Sequence, residues 1–466
     1  MLRTIRLVLL AAVALLAATA GTASAAPRMP IGFFDDNNFR WSDEREAWLR
    51  DAQVAGASVI HTTVNWATMA PQRPANAADG DDPAYHISDL DELVRNAGRF
   101  GLRVMIDITG SPKWANGGGT PNTMPRRLAD FTAFAKMLAN RYDGTVEGQG
   151  YVGLWSVWNE PNIELFLKPQ YVGKKIVSPS NYVKLYKSAY AGIKAGNPRA
   201  QVAIGETSAR GRDIPKKGVS ATVAPGTFAR LVARAPGLKF DAWAHHPYPT
   251  SPNLPPLQKV RWPNVTLSQM PKFESSLDAW FHRRNIPVWI TEYGHETKPG
   301  EPHGVTNAKQ AAYARQALTI ARADKRVQMF VWFTIKDTPG NPWQSGLYGR
   351  TGSVKPAYAA FSSLARLIDG DGTYTVRAGT QPTVKFYPAL LRFFSAPGET
   401  IGMTLRVFNN GKLVTSAQPT APMGFDGSVT VRAPFSPAKG KTYTVTAELN
   451  DPHGNHQTRS VAVIAS

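Results

Sequence analysis

The stretch "LWSVWNEPN", residues 154–162, places an acid at the point where a buried strand runs out. Branched and aromatic apolar residues dominate positions 154–158, which is typical of a buried β-strand. Asn159 and Glu160 follow, and Pro161 then prevents a simple continuation of the hydrogen-bonded ladder. Partial burial penalises the charged form of an acid. We therefore expect Glu160 to serve a function at the end of this strand.

Similar apolar runs recur along the chain, separated by amphipathic helical patterns. The candidate strands are 30–34, 57–64, 102–108, 151–158, 200–205, 240–245, 287–291 and 328–335. Helical patterns lie between them, and the clearest are 90–101, 128–142, 180–196 and 308–323. Eight strands alternating with helices over residues 27–368 predict an α/β fold, a (β/α)8 TIM barrel. A doubly wound open sheet is the competing fold, but no glycine-rich phosphate loop follows the first strand.

The helical rhythm stops after about residue 368. Short alternating runs predict strands at 373–379, 400–408, 427–435, 442–449 and 458–465, and Asn410-Gly411 is typical of a tight hairpin turn. We predict a small C-terminal β-sandwich, similar to immunoglobulin or fibronectin domains, over residues 369–466, with the junction at 367–374. Glycan binding, surface attachment and coverage of the barrel all stay open as its role. Its few aromatic residues argue against a face that stacks on sugars.

The first 26 residues have the three-part layout of a secretory signal peptide. Arg3 and Arg6 precede an apolar run from Leu7 to about Ala20, and the small residues 23–25 follow. The run is short for a membrane span, and an uncleaved anchor is the alternative. We predict a secreted, extracellular protein with no membrane span once residues 1–26 are removed. The absence of cysteine excludes disulfides, thiol chemistry and Cys-ligated metal sites.

A second acid lies at the end of a later strand. In a closed barrel, functional residues sit at the C-terminal ends of the strands. Glu160 ends the fourth candidate strand, and "PVWITEYG", residues 287–294, places Glu292 at the end of the seventh. Two carboxyl groups that face one cavity are the minimum apparatus for cleaving a glycosidic bond. One of them, protonated, hands a proton to the departing oxygen, and the other, ionised, attacks the sugar carbon.

The motifs "WNEPN" and "ITEYG", in this order on the strand rhythm, resemble clan A retaining glycoside hydrolases. The likeness is nearest to families 39 and 5, which together include cellulase-like and β-xylosidase-like enzymes. It covers residues 30–366. It implies that Glu160 is the acid/base and Glu292 the nucleophile. It also implies that Asn159 holds the sugar 2-hydroxyl, and that His246 and Tyr248 in "HHPYP" contact the substrate.

Several aromatic residues are further candidates for substrate binding. "FVWFT" resembles the clan's eighth-strand motif, which implies that Trp332 lies beneath the cleaved sugar. Many clan members carry an arginine on the second strand, five residues before a tryptophan, and here His61 stands five residues before Trp66. His61 either takes the place of that arginine or is a packed strand histidine. Trp114 and Trp343 lie in loops after strands three and eight, where they either stack on sugar or anchor the loops.

The protonation states of the two glutamates follow from their proximity. A glutamate with the ordinary pKa of about 4.3 is ionised at neutral pH and is a poor acid. An ionised Glu292 and partial burial should raise the pKa of Glu160. The retaining geometry predicts a carboxyl separation of about 5 to 5.5 Å. Glu206 and Asp107 also end strands at this rim. They either bind sugar hydroxyls or, as we expect, make supporting hydrogen bonds to neighbouring loops.

The basic residues suggest an anionic partner. The net charge is +19, from 53 Lys and Arg against 34 Asp and Glu. Nucleic acid is a poor candidate because no nucleic-acid-binding module is recognisable. An acidic or cell-envelope polysaccharide is the better one, and an ordinary solvated basic rim is the alternative. The basic side chains expected after strands four and five are Lys168, Lys174, Lys175, Arg210, Arg212, Lys216 and Lys217.

We therefore predict a secreted glycoside hydrolase that cleaves a poly- or oligosaccharide by double displacement. We expect no cofactor and no metal, since adjacent residues such as His245 and His246 face opposite sides of a strand and no third ligand accompanies them. A glycan-binding protein on the same scaffold and a transglycosylase are the alternatives.

Overall fold

A computed structural model describes residues 29–466, except 147, 366–372, 387–397, 425–427, 453 and 455. The predicted signal peptide and most of the predicted junction at 367–374 lie outside the described residues. No helix in the described part of the chain is long and apolar enough to cross a membrane.

Eight parallel strands close into a barrel, and each strand pairs with its neighbours in the sequence. The strands are β1 Ile31–Phe34, β2 Val59–Asn65, β3 Arg103–Thr109, β4 Leu154–Val157, β5 Gln201–Ser208, β6 Ala242–His246, β7 Val288–Tyr293 and β8 Val327–Phe333. The hydrogen-bonded pair β1 and β8 completes the ring. The prediction of a (β/α)8 barrel is confirmed.

A helix follows every strand of the barrel. These helices are α1 Arg45–Val54, α2 Ser88–Arg99, α3 Leu128–Arg141, α4 Ser178–Gly196, α5 Pro225–Val232, α6 Met270–Phe281, α7 Asn307–Ala323 and α8 Pro356–Ala365. In α2 the buried residues include Leu90, Leu93, Val94 and Ala97, a three- and four-residue spacing that turns one face to the strands. Shorter helices cover Asp36–Phe39, Trp66–Met69, Lys113–Asn116 and, as a 3₁₀ turn, Leu267–Gln269.

The barrel interior has an apolar floor and a polar layer above it. Val59, Met105, Leu154, Ala203 and Trp289 belong to the floor, and all are buried. Further along β2 to β7, two residues on in most of these strands and three in β5, the side chains face the same interior but are polar. This polar layer consists of His61, Asp107, Ser156, Glu206, His246 and Thr291, all of which are buried and joined by hydrogen bonds.

The described residues of the C-terminal region form strands and no helix, as predicted. Its strands are β9 Thr373–Val376, β10 Thr383–Phe386, β11 Thr400–Asn409, β12 Lys412–Ala417, β13 Thr420–Pro422, β14 Val429–Arg432, β15 Thr442–Asn450 and β16 His456–Ala465. One sheet has the order β9-β16-β15-β11-β12 with β13 paired to β11, and the second consists of β10 and β14. Their apolar faces share one core, which is consistent with a β-sandwich. Asn410 and Gly411 form the predicted hairpin turn between β11 and β12, with φ of 48° and 74°.

Candidate active site

Glu160 is presented by a strained turn at the end of β4. Trp158 and Glu160 adopt positive φ, at 70° and 39°, which is unfavourable for side chains with a Cβ atom. The indole of Trp158 is buried and donates a hydrogen bond to the carbonyl of Phe166, 2.7 Å away, which holds the turn from the far side of the loop. Such strain concentrates at functional sites, where surrounding contacts maintain it.

The loops after β4 and β5 are fastened to each other by Asn162. Its side-chain oxygen accepts a hydrogen bond from the Ser208 amide at 2.9 Å, and its amide group donates to the Val223 carbonyl at 2.9 Å. The backbone amide of Glu160 also donates to the Glu206 carbonyl at 2.9 Å. The orientation of Glu160 therefore depends on β5 as well as on its own strand.

Glu160 and Glu292 meet at one nitrogen of His246. The Nδ1 atom of His246 lies 3.0 Å from Glu160 Oε1 and 3.7 Å from Glu292 Oε2. Because both oxygens lie near the same nitrogen, the distance between Glu160 Oε1 and Glu292 Oε2 cannot exceed the sum of 3.0 Å and 3.7 Å. This upper limit is compatible with the separation of about 5 to 5.5 Å in retaining enzymes. It only just reaches the range of inverting enzymes, which begins at about 6.5 Å.

The environment of Glu292 makes this carboxyl hard to ionise. Burial raises its pKa to about 7, the charges of Glu160 and Glu206 add to that effect, and His246 opposes it. The hydroxyl of Tyr248 donates a hydrogen bond to Glu292 Oε2 at 3.2 Å, which favours the carboxylate. From the sequence we expected a raised pKa at Glu160; in the structure, burial raises the pKa of Glu292.

The two glutamates open into a cleft of about 1450 Å³. Asn159, Glu160, Tyr248 and Glu292 line it, so the cleft contains the predicted acid/base, the predicted nucleophile and two of the predicted binding residues. His246 is completely buried behind them and contacts only the two carboxyls that line the cleft, so its predicted contact with the substrate is wrong. The structure thus brings these five predicted site residues together.

Trp332 is not at the cleft, and its predicted contact with the sugar is wrong. The side chain is fully buried between the barrel and its helices, where the indole donates to the Ser345 carbonyl at 2.9 Å. Successive side chains of a strand face opposite sides, so the next residue, Phe333, points into the cleft instead. Trp343 joins it there, half exposed, with its ring 5.3 Å from that of Tyr248.

Trp66 and Trp114 also lie outside the cleft, which corrects their assignment as substrate-binding residues. Trp66 is buried in the layer between barrel and helices and stacks on Phe134. Trp114 packs edge-on against Trp66, and its indole donates to the Ala70 carbonyl at 2.8 Å. Trp114 therefore anchors its loop, which was the alternative to sugar stacking.

His61 lies below the cleft in the polar layer and does not line it. Its Nδ1 atom is 3.1 Å from the Thr291 carbonyl, and burial lowers its pKa to about 4. The imidazole is therefore neutral and cannot supply the positive charge of an arginine. No group of three His, Cys, Asp or Glu residues in the described part of the chain is arranged to hold a metal ion.

Sequence reasoning missed the way in which Glu206 reaches the catalytic pair. Glu206 Oε2 is 2.8 Å from His246 Nε2 and accepts a hydrogen bond from Thr291 Oγ1 at 2.6 Å. The expectation of supporting hydrogen bonds was correct in kind, but their partners are catalytic-site residues rather than loops. Gly205, an isolated glycine inside a strand, was the available signal of an irregularity there.

The predicted basic rim is only partly at the cleft. Arg210 and Arg212 line it, whereas the predicted lysines do not. Asp36, Arg40 and Asp89 line the opposite end, and there the guanidinium lies 2.7 Å from the Asp89 carboxylate.

A family model described as cellulase (glycosyl hydrolase family 5) matches residues 24–336. One curated relative, the β-glucosidase-like protein SFR2 of Oryza sativa subsp. japonica, is 24% identical over 129 residues. That alignment spans 27% of this chain and 19% of the rice protein.

Three solved structures share the fold at low identity. A family 39 glycoside hydrolase from Bacteroides cellulosilyticus WH2 is 18% identical at a TM-score of 0.54, covering 87% of this chain and 79% of its own. A glucosidase from Croceicoccus marinus is 12% identical at a TM-score of 0.55, covering 89% and 95%. The GH5_18 protein from Streptomyces cattleya, in complex with GlcNAc, is 16% identical at a TM-score of 0.51, covering 76% and 86%. Because the family model matches residues 24–336, more than half of the sequence, the chain belongs to glycosyl hydrolase family 5.

Proposed function

We propose that the protein is an exported retaining glycosidase that cleaves O-glycosidic bonds in a poly- or oligosaccharide. One observation carries this proposal: Glu160 and Glu292 reach the same nitrogen of His246 from opposite walls of the cleft. Export rests on the layout of residues 1–26, and the carbohydrate substrate rests on the family.

Each glutamate has a distinct part in the reaction. An oxygen of Glu292 attacks the anomeric carbon while the proton of Glu160 passes to the departing oxygen, which yields a glycosyl ester and a Glu160 carboxylate. Glu160 then removes a proton from water, and the resulting attack on the anomeric carbon releases Glu292. The Tyr248 hydroxyl, 3.2 Å from Glu292, holds the nucleophile in place before attack.

Alanine substitutions of the two glutamates test these roles. We expect Glu292→Ala to lower kcat/KM on aryl glycosides by at least about 10³-fold, because the attacking oxygen is lost. Glu160→Ala should recover turnover when azide is added, since azide resolves the glycosyl ester without a general base. Glu296→Ala is the matched control, because Glu296 is also buried but lies in the loop beyond.

Equal loss in the control, or unchanged hydrolysis in Glu292→Ala, would contradict the assignment. Undiminished ligand binding by a wild-type protein that hydrolyses nothing in a broad glycan panel would instead identify the glycan-binding alternative. Analysis of products for newly formed, longer saccharides separates hydrolysis from transglycosylation.

We further propose that the substrate carries acidic groups on the side of the cleft next to β5. Arg210 and Arg212 line that side, and in the described part of the chain neither guanidinium lies within 4.0 Å of a carboxylate. An exposed arginine without such a partner is available to a carboxylate of the substrate.

An Arg212→Gln variant tests the acidic substrate. We expect it to raise KM for uronic-acid oligosaccharides by about fivefold and to leave neutral oligosaccharides unaffected, and we expect salt to weaken only the wild-type preference. Lys216→Gln is the control, since Lys216 follows the same strand but does not line the cleft. Equal activity on charged and neutral substrates at all salt concentrations would remove the proposal.

A further inference from the structure

Many clan members carry a positively charged arginine on the second strand, and this chain has no arginine at that position. His61 stands at that position, is buried, and makes its Nδ1 contact with the Thr291 carbonyl. Because burial lowers its pKa to about 4, it is neutral at the pH of most cells and secretions. Any cation that stabilises Glu292 must therefore come from another part of the barrel.

His246 is placed to be that cation. Its Nδ1 faces Glu160 at 3.0 Å and Glu292 at 3.7 Å, while its Nε2 faces Glu206 at 2.8 Å. A neutral imidazole has one N–H, so one of its nitrogens would turn a lone pair towards a carboxylate. The imidazolium has a donor on both nitrogens, so Nε2–H can donate to Glu206 while Nδ1–H faces whichever of Glu160 and Glu292 is ionised.

Glu206 reaches His246 because β5 contains one extra residue. The pairing of β5 with β6 shifts between Ile204 and Thr207, so that Gly205 and Glu206 together oppose Ala244. The amide of Gly205 donates to the Tyr182 hydroxyl at 2.6 Å, a contact that fixes the bulge. Bulges re-aim side chains, and this one turns Glu206 into the barrel.

The backbone of Glu206 is strained, with φ of 45°, and its carboxylate is completely removed from the cleft. It therefore cannot touch a sugar. Strain of this kind persists where the surrounding structure enforces it, and it marks functional positions. The contacts that Glu206 makes there are with His246 and Thr291.

We propose that Glu206 is a positioning residue that holds His246 as an imidazolium, and that this imidazolium replaces the second-strand arginine as a cation shared by Glu160 and Glu292. The inference rests on the retaining mechanism proposed above. Before attack, the negative charge of the pair is on Glu292. After proton transfer to the departing oxygen, it is on Glu160. One cation in contact with both carboxyls serves both states.

The remaining groups around His246 leave this assignment intact. From the other strands and from its own strand, the titratable groups that face it are Glu160, Glu206, Glu292, His61, Asp107, His245 and Tyr248. Burial opposes the charge of His246, but Glu292, Glu160 and Glu206 outweigh it and raise its pKa well above the usual value. Burial likewise opposes ionisation of Glu206, yet His246 lowers the Glu206 pKa to about 2.

Asp107 and His245 do not compete for this charge. Burial and the charge of Glu206 raise the pKa of Asp107 well above its usual range, which disfavours its ionised form. Burial lowers the pKa of His245 to about 3, and its ring faces the other side of the strand, towards Thr207 and the Val265 carbonyl.

Glu206→Gln removes the charge and keeps the shape, since the amide oxygen can still accept from Thr291 and His246. The His246 pKa should then fall, and the protonated form should be lost as pH rises. In the pH profile of kcat/KM, we expect the alkaline limb to move to lower pH by about one unit or more. The value of kcat/KM should fall at least about tenfold at pH 8 and less than about threefold at pH 5. Glu206→Asp, which keeps the charge, should restore the limb towards its wild-type position.

Glu274→Gln is the control, because Glu274 is also a buried glutamate but lies in α6 on the outside of the barrel. It should leave the pH profile unmoved even if it changes the Tm. A loss in Glu206→Gln that is the same at every pH would overturn the proposal and leave Glu206 a structural residue.

NMR titration of His246, with its signals assigned by their absence in His246→Asn, reads the charge directly. We expect wild-type His246 to stay protonated through pH 8 and to lose its proton at lower pH in Glu206→Gln. A neutral His246 at pH 7 in the wild-type protein overturns the inference even if the variant does not fold. The titration needs no turnover, so its result stands apart from any failure of the proposed hydrolysis.

Discussion

At the residue scale, the placement of Glu292 carries a cost in stability. The carboxyl is buried, and its pKa of about 7 in the folded protein exceeds the ordinary value of 4.5. A group whose folded pKa is raised binds a proton more tightly in the folded state, so its stabilising effect is full at low pH and is lost as pH rises towards 7. Function therefore requires an ionised group where stability favours a protonated one.

Glu292→Gln should make this cost measurable. At pH 8 we expect the variant to have a Tm higher than the wild type by about 2 °C or more, because it removes a buried negative charge. At pH 4 the two proteins should unfold at nearly the same temperature, since Glu292 is then protonated. Glu44→Gln, at an exposed position, is the control and should show no such difference. Thermal unfolding of the three proteins at both pH values gives the answer, and a Tm difference that does not change with pH would contradict the account.

Local sequence was sufficient for the residues that end strands, and insufficient for those within them. Glu160 and Glu292 were predictable because each follows an apolar run, and strand ends meet at one rim. Trp332 was placed on the wrong face because "FVWFT" is apolar on both faces, so its pattern does not show which residue points inward. The partnership of Glu206 with His246 joins residues 40 positions apart and cannot be read from either segment.

At the element scale, the bulge in β5 decides which side chains reach the catalytic pair. Gly205 has φ of 115°, and a Cβ there would lie 2.6 Å from the Trp243 ring and 2.8 Å from the Ala244 carbonyl oxygen. A side chain at this position would force the two strands apart or remove the bulge. The sequence predicted β5 over 200–205, and the strand instead continues to Ser208 because the extra residue lets pairing resume at Thr207.

Gly205→Ala is therefore expected to destabilise the protein by about 2 to 4 kcal/mol and to lower kcat by more than the loss of folded protein explains. Gly218→Ala is a matched control, because Gly218 follows the same strand, has φ of 73°, and a Cβ added there would meet no atom within 4 Å. It should cost only the backbone strain of about 1 kcal/mol. Denaturant unfolding compares the two, and equal effects would show that the bulge does not depend on this close approach.

At the scale of the whole molecule, the C-terminal β-rich region contacts the barrel at the end opposite to the cleft. Arg199 precedes β5, at the N-terminal end of the barrel, and pairs with Glu399 just before β11. The same guanidinium donates to the Asp143 carbonyl at 2.6 Å. This contact places the C-terminal region away from Glu160 and Glu292, so we expect it to act on stability rather than on the shape of the cleft.

Arg199→Ala tests that separation. Glu399 is buried and Arg199 is partly exposed, so removing the guanidinium should cost roughly 1 to 3 kcal/mol, less than for a fully buried pair. We expect a lower Tm and kcat/KM on small aryl glycosides within about twofold of wild type. Arg406→Ala, which breaks an exposed pair with Glu448, is the control and should leave both nearly unchanged. A large fall in kcat/KM would show that the C-terminal region does influence the cleft.

The two-part architecture was predictable because its signals are periodic: helices and strands alternate up to α8, and alternating strands follow from β9. The contact between the two parts could not be predicted from the sequence. Arg199 and Glu399 are 200 residues apart, and neither belongs to a periodic sequence pattern.

The covalent intermediate tests the central claim most directly. The 2-deoxy-2-fluoro glycoside of the sugar that the protein cleaves slows release of the glycosyl ester, and peptide mass spectrometry then locates the attached sugar. We expect the label on the peptide that contains Glu292. A label on a different residue, or hydrolysis with inversion of the anomeric carbon and no label, would contradict the account.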